Sequence, residues 1–85
     1  VNDIDYLTPR QRSVLAFIGA FSATHGYPPT IREIGEGVGL SSSSSVHGAL
    51  YRLRREGFLR WEPTKPRTVT LTQIAVELMA VEEPV

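Results

Sequence analysis

Apolar residues recur at helical spacing in four stretches of this chain and alternate with polar ones in two short stretches. The change of period falls at Gly57. In the first stretch Val14, Leu15, Phe17, Ile18 and Phe21 mark a helix. Thr8-Pro9-Arg10-Gln11 supplies its start: a capping threonine, a proline at the first helical position, and a glutamine that completes a capping box. The helix should reach about His25, whose place in the last turn suits the negative end of the helix dipole, and Gly26 should stop it. Tyr27-Pro28-Pro29 reads as an extended link, because each proline disfavours helix in the residue before it. Thr30-Ile31-Arg32-Glu33 is a second capping box, opening a helix with Ile31, Ile34 and Val38 as a narrow apolar stripe that Gly39 closes.

The third helical stretch follows five consecutive serines, Ser41 to Ser45. By composition alone such a run equally suits a flexible linker. Spacing favours a turn and a helix start: Ser42 is placed to accept from the Ser45 amide as an N-cap, and Val46, Leu50 and Leu53 begin an apolar stripe at once. At 100° per residue, Val46, Ala49, Leu50 and Leu53 gather on one side. Ser44, Gly48, Tyr51 and Arg55 gather on the other, flanked by His47 and Arg52. The first side can pack on a core. The second combines small hydroxyls, a missing side chain and cations, which suits a helix lying close against nucleic acid. A helix, a tight glycine-containing turn and a second helix with small polar residues at its start form a helix-turn-helix. Two helices cannot bury their stripes alone, so Phe17, Ile18 and Phe21 of the first helix should close the core.

After Gly57, Leu59 and Trp61 alternate with Arg60 and Glu62, and Val69 and Leu71 alternate with Thr68 and Thr70. These are two short strands around the basic tip Pro63-Thr64-Lys65-Pro66-Arg67, a hairpin or wing. Trp61 is expected to cover the open edge of a small core rather than to stack on bases. Thr72 can cap a last helix over 73–80 with Ile74, Ala75, Leu78 and Met79 along one side. The fold class expected is therefore mainly α with a small β-hairpin, a three-helix winged helix-turn-helix over residues 8–71. Residues 1–7 form a loose arm, and residues 72–85 an additional helix with a frayed end.

Charge changes this picture, although the net charge of the 85 residues is zero. Both ends are acidic. Residues 8–71 hold all nine lysines and arginines against four glutamates, and most of the excess lies in 52–67. There Arg52, Arg54, Arg55, Arg60, Lys65 and Arg67 face only Glu56 and Glu62, a patch suited to a polyanion. The absence of cysteine removes disulfides and thiolate metal sites, and His25 and His47 stand far apart, so no metal or cofactor is expected. No apolar run approaches the roughly 20 residues that span a bilayer, and a cytoplasmic location is the default expectation. Nucleophile–base–carboxylate sets, ligand clusters and phosphate loops are missing, which argues against an enzyme.

LTPRQ at 7–11, GYPPTIREIG at 26–35, VGLSSSSSV at 38–46, REGFL at 55–59 and KPRTV at 65–69 together resemble the DNA-binding domain of LexA repressors, especially the actinobacterial kind. The likeness covers about residues 7–71. It implies a winged helix-turn-helix acting in the SOS damage response, with bases read in the major groove by the first turns of the third helix. By position, Ser44, Ser45, His47 and Gly48 match the base-facing places of the family. Lys65 to Arg67 match the wing tip that meets the DNA backbone, and Ser42, Tyr51, Arg52 and Arg55 are the further backbone candidates. His47 and Gly48 depart from the family's usual residues, which leaves open an operator unlike the usual damage-response box. The family's second, self-cleaving domain, with its serine–lysine dyad and Ala-Gly scissile bond, has no counterpart here: Lys65 is the only lysine, every serine precedes residue 46, and Ala-Gly does not occur. The chain is expected to be either an excised domain or a small stand-alone relative with a different operator. A palindromic operator bound by two copies, with a weak homodimer at most in solution, is the expected partner arrangement. The competing expectation is a winged helix used to dock another protein; that would call for an exposed apolar anchor on the third helix, where Tyr51 alone is available.

Overall fold

The computed structural model describes residues 7–82, with side chains through Met79. Of the expected loose arm at 1–7 only Leu7 is described, and of the expected frayed end at 82–85 only Glu82, which is helical; residues 1–6 and 83–85 lie outside the described residues. In chain order the elements are α1 (Pro9–His25), α2 (Ile31–Val38), α3 (Ser43–Arg55), β1 (Leu59–Arg60), β2 (Thr70–Leu71) and α4 (Gln73–Glu82). Four helices and one antiparallel hairpin make the winged helix-turn-helix that the pattern predicts. Among the described residues no helix is long and apolar enough to cross a membrane.

Both capping boxes form. The Thr8 hydroxyl accepts from the Gln11 amide at 3.1 Å while Gln11 Oε1 accepts from the Thr8 amide at 2.8 Å. Thr30 and Glu33 repeat these distances at the start of α2. The turn between α2 and α3 depends on Gly39, whose φ of 79° lets the Leu40 amide return to the Gly35 carbonyl at 2.8 Å. The absence of a side chain at Gly35 matters as well. A Cβ there would sit 3.0 Å from the Leu40 carbonyl oxygen and 3.2 Å from Val46 Cγ2, so α2 meets the turn and α3 at van der Waals range.

The core joins Val14, Leu15 and Ile18 of α1 to Ile34 of α2 and Val46, Leu50 and Leu53 of α3, all fully or almost fully buried. Phe17 is half-buried and packs against this core, over Gly37. Phe21 differs from expectation: lying further round α1, it is half-buried outside the core and stacks between Phe17 and His25 with ring centroids 5.7 and 4.1 Å away. Leu7, expected within the loose arm, is instead buried in the core, because its apolar side chain completes the cluster beside the start of α1.

At the end of α3, the Phe58 amide reaches back to the Leu53 carbonyl at 2.9 Å across Gly57, which turns the chain into β1. Leu59 pairs with Leu71 and Arg60 with Thr70. The strands are shorter than the alternation suggests because the Glu62 amide donates to the Thr68 hydroxyl at 3.0 Å instead of to a main-chain carbonyl. Alternation nevertheless sets the faces: Leu59, Trp61 and Val69 are buried. Helix α4 packs on α1 and β2. Its inner side is Ala75, Leu78 and Met79, whereas Ile74, expected among them, is 57% exposed. The sequence of α4 is apolar nearly all round, so its pattern alone does not choose a face.

Two helix-interior glycines should respond oppositely to alanine. At Gly37 the new Cβ would run into the Phe17 ring, whereas at Gly48 it would meet nothing within 4 Å. Gly37→Ala should cost about 1–3 kcal/mol through overpacking. Gly48→Ala should gain up to about 1 kcal/mol from helix propensity. Thermal melts should therefore move in opposite directions.

Candidate nucleic-acid interface

Burial of Val46, Leu50 and Leu53 fixes the roll of α3 and leaves Ser43, Ser44, Ser45, Gly48, Tyr51, Arg52 and Arg55 exposed. Ser42 caps the helix, its hydroxyl accepting from the Ser45 amide at 3.4 Å. Gly48 opens the middle of the exposed face, so another molecule can approach the backbone there. His47 is half-buried, with Nδ1 2.8 Å from the Ser43 carbonyl oxygen. A carbonyl only accepts, so Nδ1 is the donor and the neutral ring keeps Nε2 as an acceptor.

Trp61 covers the edge of the core, as the alternation predicts, and it also joins the wing to α3. Its ring centroid lies 4.9 Å from that of Tyr51 and 5.6 Å from that of His47. The Arg54 guanidinium sits 5.2 Å from the Tyr51 centroid and 5.6 Å from the Trp61 centroid, and donates to the Trp61 carbonyl at 3.0 Å. Sequence reasoning counts Arg54 in the basic patch of 52–67 but misses its contacts with Tyr51 and Trp61. Its helical spacing from Tyr51 was visible, but the register of the wing against α3 was not. Trp61 and Arg54 thus brace Tyr51, which remains 47% exposed.

The cations divide into two kinds. Arg55 is exposed; Arg52 approaches Glu56 at 3.7 Å and Lys65 approaches Glu62 at 3.5 Å, both on the surface. Such pairs are weak and screened, and they yield readily to a stronger anion. Arg67, placed by sequence with the wing-tip cations, is held differently. Its guanidinium donates to both Glu33 carboxylate oxygens at 3.0 and 3.2 Å and to the Pro28 carbonyl at 2.9 Å, with its face 4.7 Å from the Tyr27 ring centroid. The structure therefore brings Ser42, Ser44, Ser45, His47, Gly48, Tyr51, Arg52 and Arg55 together on α3 and its cap, places Lys65 on the adjoining wing, and turns Arg67 toward the start of α2. Among the described residues no group of three His, Asp or Glu side chains could hold a metal ion.

A recognition-type helix exposed on a three-helix core, braced by a basic hairpin, defines a winged helix-turn-helix protein. The family model for the LexA DNA binding domain matches residues 4–68, and the chain belongs to that family. It is 47% identical to the LexA repressor of Staphylococcus epidermidis over 79 residues, 93% of this chain and 38% of the relative. It is 50% identical to that of Bacillus subtilis over 72 residues, 85% and 35% of the two chains. With the LexA repressor of Geobacillus thermodenitrificans it shares 54% over 65 residues, 76% and 31% of the two chains. The chain spans less than two fifths of the length of these relatives.

Glu33 carries a pH signature. Its carboxyl is held below its usual value, first by the Thr30 amide bond and then by the Arg67 hydrogen bond, against a smaller opposing effect of burial. A depressed carboxylate contributes stability that is complete above its unfolded value of about 4.3 and is lost as pH falls through the lowered folded value. The melting-temperature difference between wild type and Glu33→Gln should therefore be constant from pH 8 to about 5.5 and disappear in acid.

Proposed function

We propose that this chain is the sequence-specific double-stranded DNA-binding domain of a transcriptional repressor, laying α3 in the major groove and the wing on the backbone. One observation carries this: the core packing of α3 lies on one face, and its other face presents serine hydroxyls, an open Gly48 and two arginines. A protein-docking helix would be expected to show an apolar anchor there, but Tyr51 is already engaged by Trp61 and Arg54. Ser44, Ser45 and His47 read base edges. The acceptor Nε2 of His47 suits the exocyclic amine of adenine or cytosine, and Gly48 permits the close approach. Ser42, Tyr51, Arg52, Arg55 and Lys65 meet the DNA backbone. The protein works in the cytoplasm, beside its DNA.

One recognition helix covers about four base pairs, too few to select a genomic site, so two copies occupy a palindromic operator. Leu78 and Met79 pack onto the protein's own core, and α4 leaves Ile74 and Val76 as its exposed large hydrophobic side chains among the described residues, which supports at most a weak dimer off DNA.

Replacing Arg52, Arg55 and Lys65 together with alanine should lower the magnitude of the log–log salt dependence of binding by about three units on any duplex. An unchanged slope would remove the phosphate assignment. His47→Ala should relax preference at one base pair per half-site, worth about 1–3 kcal/mol of discrimination, and leave non-specific affinity nearly constant. Equal loss on specific and random duplexes would make His47 a positioning residue. Sedimentation should find monomer or weak dimer alone and two copies on an inverted repeat; tight, specific binding of one copy to an isolated half-site would contradict the two-copy arrangement.

A further inference from the structure

The two strands of the wing are joined to each other by only two residue pairs, yet its tip runs on through Pro63, Thr64, Lys65 and Pro66. Within the tip, the Thr68 hydroxyl lies 3.0 Å from the Glu62 carbonyl and 3.2 Å from the Lys65 carbonyl, and the Lys65 amide donates to the Glu62 carbonyl at 2.9 Å. These bonds shape the tip but do not orient it. The long-range tether is Arg67, which bridges to Glu33 and Pro28, 34 and 39 positions away in sequence. Arg67 also has φ 56°, a conformation that side-chain-bearing residues seldom adopt and that persists where surrounding contacts enforce it.

We propose that Arg67 is a positioning residue: its bidentate bond to Glu33 ties the wing to the first turn of α2 and holds Lys65 where it meets phosphate while α3 occupies the groove. The proposal rests on the DNA-binding function above. Glu33 joins two tasks, since the same Oε1 that accepts from the Thr30 amide at 2.8 Å also accepts from Arg67 at 3.0 Å. The start of α2 and the tip of the wing therefore share one carboxylate. Arg67 acts through this bond, with its charge already matched, and Lys65 supplies the phosphate contact.

Glu33→Gln separates this mechanism from a direct phosphate contact by Arg67. Glutamine keeps the capping box, as Gln11 does at the start of α1, but removes the charge that holds Arg67. If Arg67 met phosphate itself, Glu33→Gln would free it, delete a negative charge and tighten binding. A tether predicts the reverse.

The test titrates wild type, Glu33→Gln, Arg67→Gln, Arg67→Lys and each of these with Lys65→Ala onto a random-sequence duplex over a range of salt concentrations. In parallel, backbone order parameters are measured on the free proteins. In wild type Lys65→Ala should lower the salt slope by about one unit. In the Glu33→Gln and Arg67→Gln backgrounds the slope should already be reduced by that amount, with Lys65→Ala adding nothing. Arg67→Lys keeps the charge without the fork and should not restore the wild-type slope. Order parameters at Thr64, Lys65, Arg67 and Thr68 should fall from about 0.85 toward 0.6 in these variants, with α1 to α3 unchanged. Tighter binding by Glu33→Gln, a full Lys65→Ala effect in the Arg67→Gln background, or an undisturbed wing tip would each overturn the proposal. Failure of the wild-type chain to bind any duplex would instead contradict the DNA-binding function, and the order parameters alone would then decide the tether.

Discussion

Helix α3 must be held by one face so that the other can be given away. Val46, Leu50 and Leu53 carry this constraint: all three are buried at 2% exposure or less against α1, α2 and the hairpin. Everything near them serves the same end. Gly35 lets α2 approach the turn closely, Gly39 reverses the chain at low conformational cost, and Ser42 satisfies an amide that would otherwise point into the exposed surface. Placement of these groups leaves the serines, His47, Gly48 and Tyr51 with little part in the core.

The wing solves a different problem. A two-pair hairpin is marginal by itself, and this one borrows rigidity from both neighbours. Trp61 and Arg54 fasten its first strand to α3, and Arg67 fastens its far end to α2. Recognition helix and wing are thus set relative to each other through side chains on three separate elements. A displacement of α2 would be felt at the wing tip as well as in the turn.

Much of this was legible in the sequence because the signals were local. Thr8 with Gln11, Thr30 with Glu33, and the glycines at 26, 39 and 57 placed the helices nearly to the residue. Period-two alternation correctly put Leu59, Trp61 and Val69 inside. What escaped was non-local. Arg67 sits in a basic tip, and only the fold shows that Glu33 lies across from it. Arg54 belongs by sequence to the basic patch of 52–67, and only the fold shows that the wing brings Trp61 against it. Ile74 faces outward although it shares an apolar spacing with the inner residues, because α4 is apolar on several faces and packing against α1 chooses among them.

The central claim is that the exposed face of α3 reads sequence. Selection from a duplex library with a randomised central region, followed by sequencing of the retained fraction, tests it most directly. The account predicts enrichment of an inverted repeat bound at least about a thousandfold more tightly than random duplex at physiological salt. Retention without enrichment, with affinity set by salt alone, would show a polyanion-binding surface and contradict the claim.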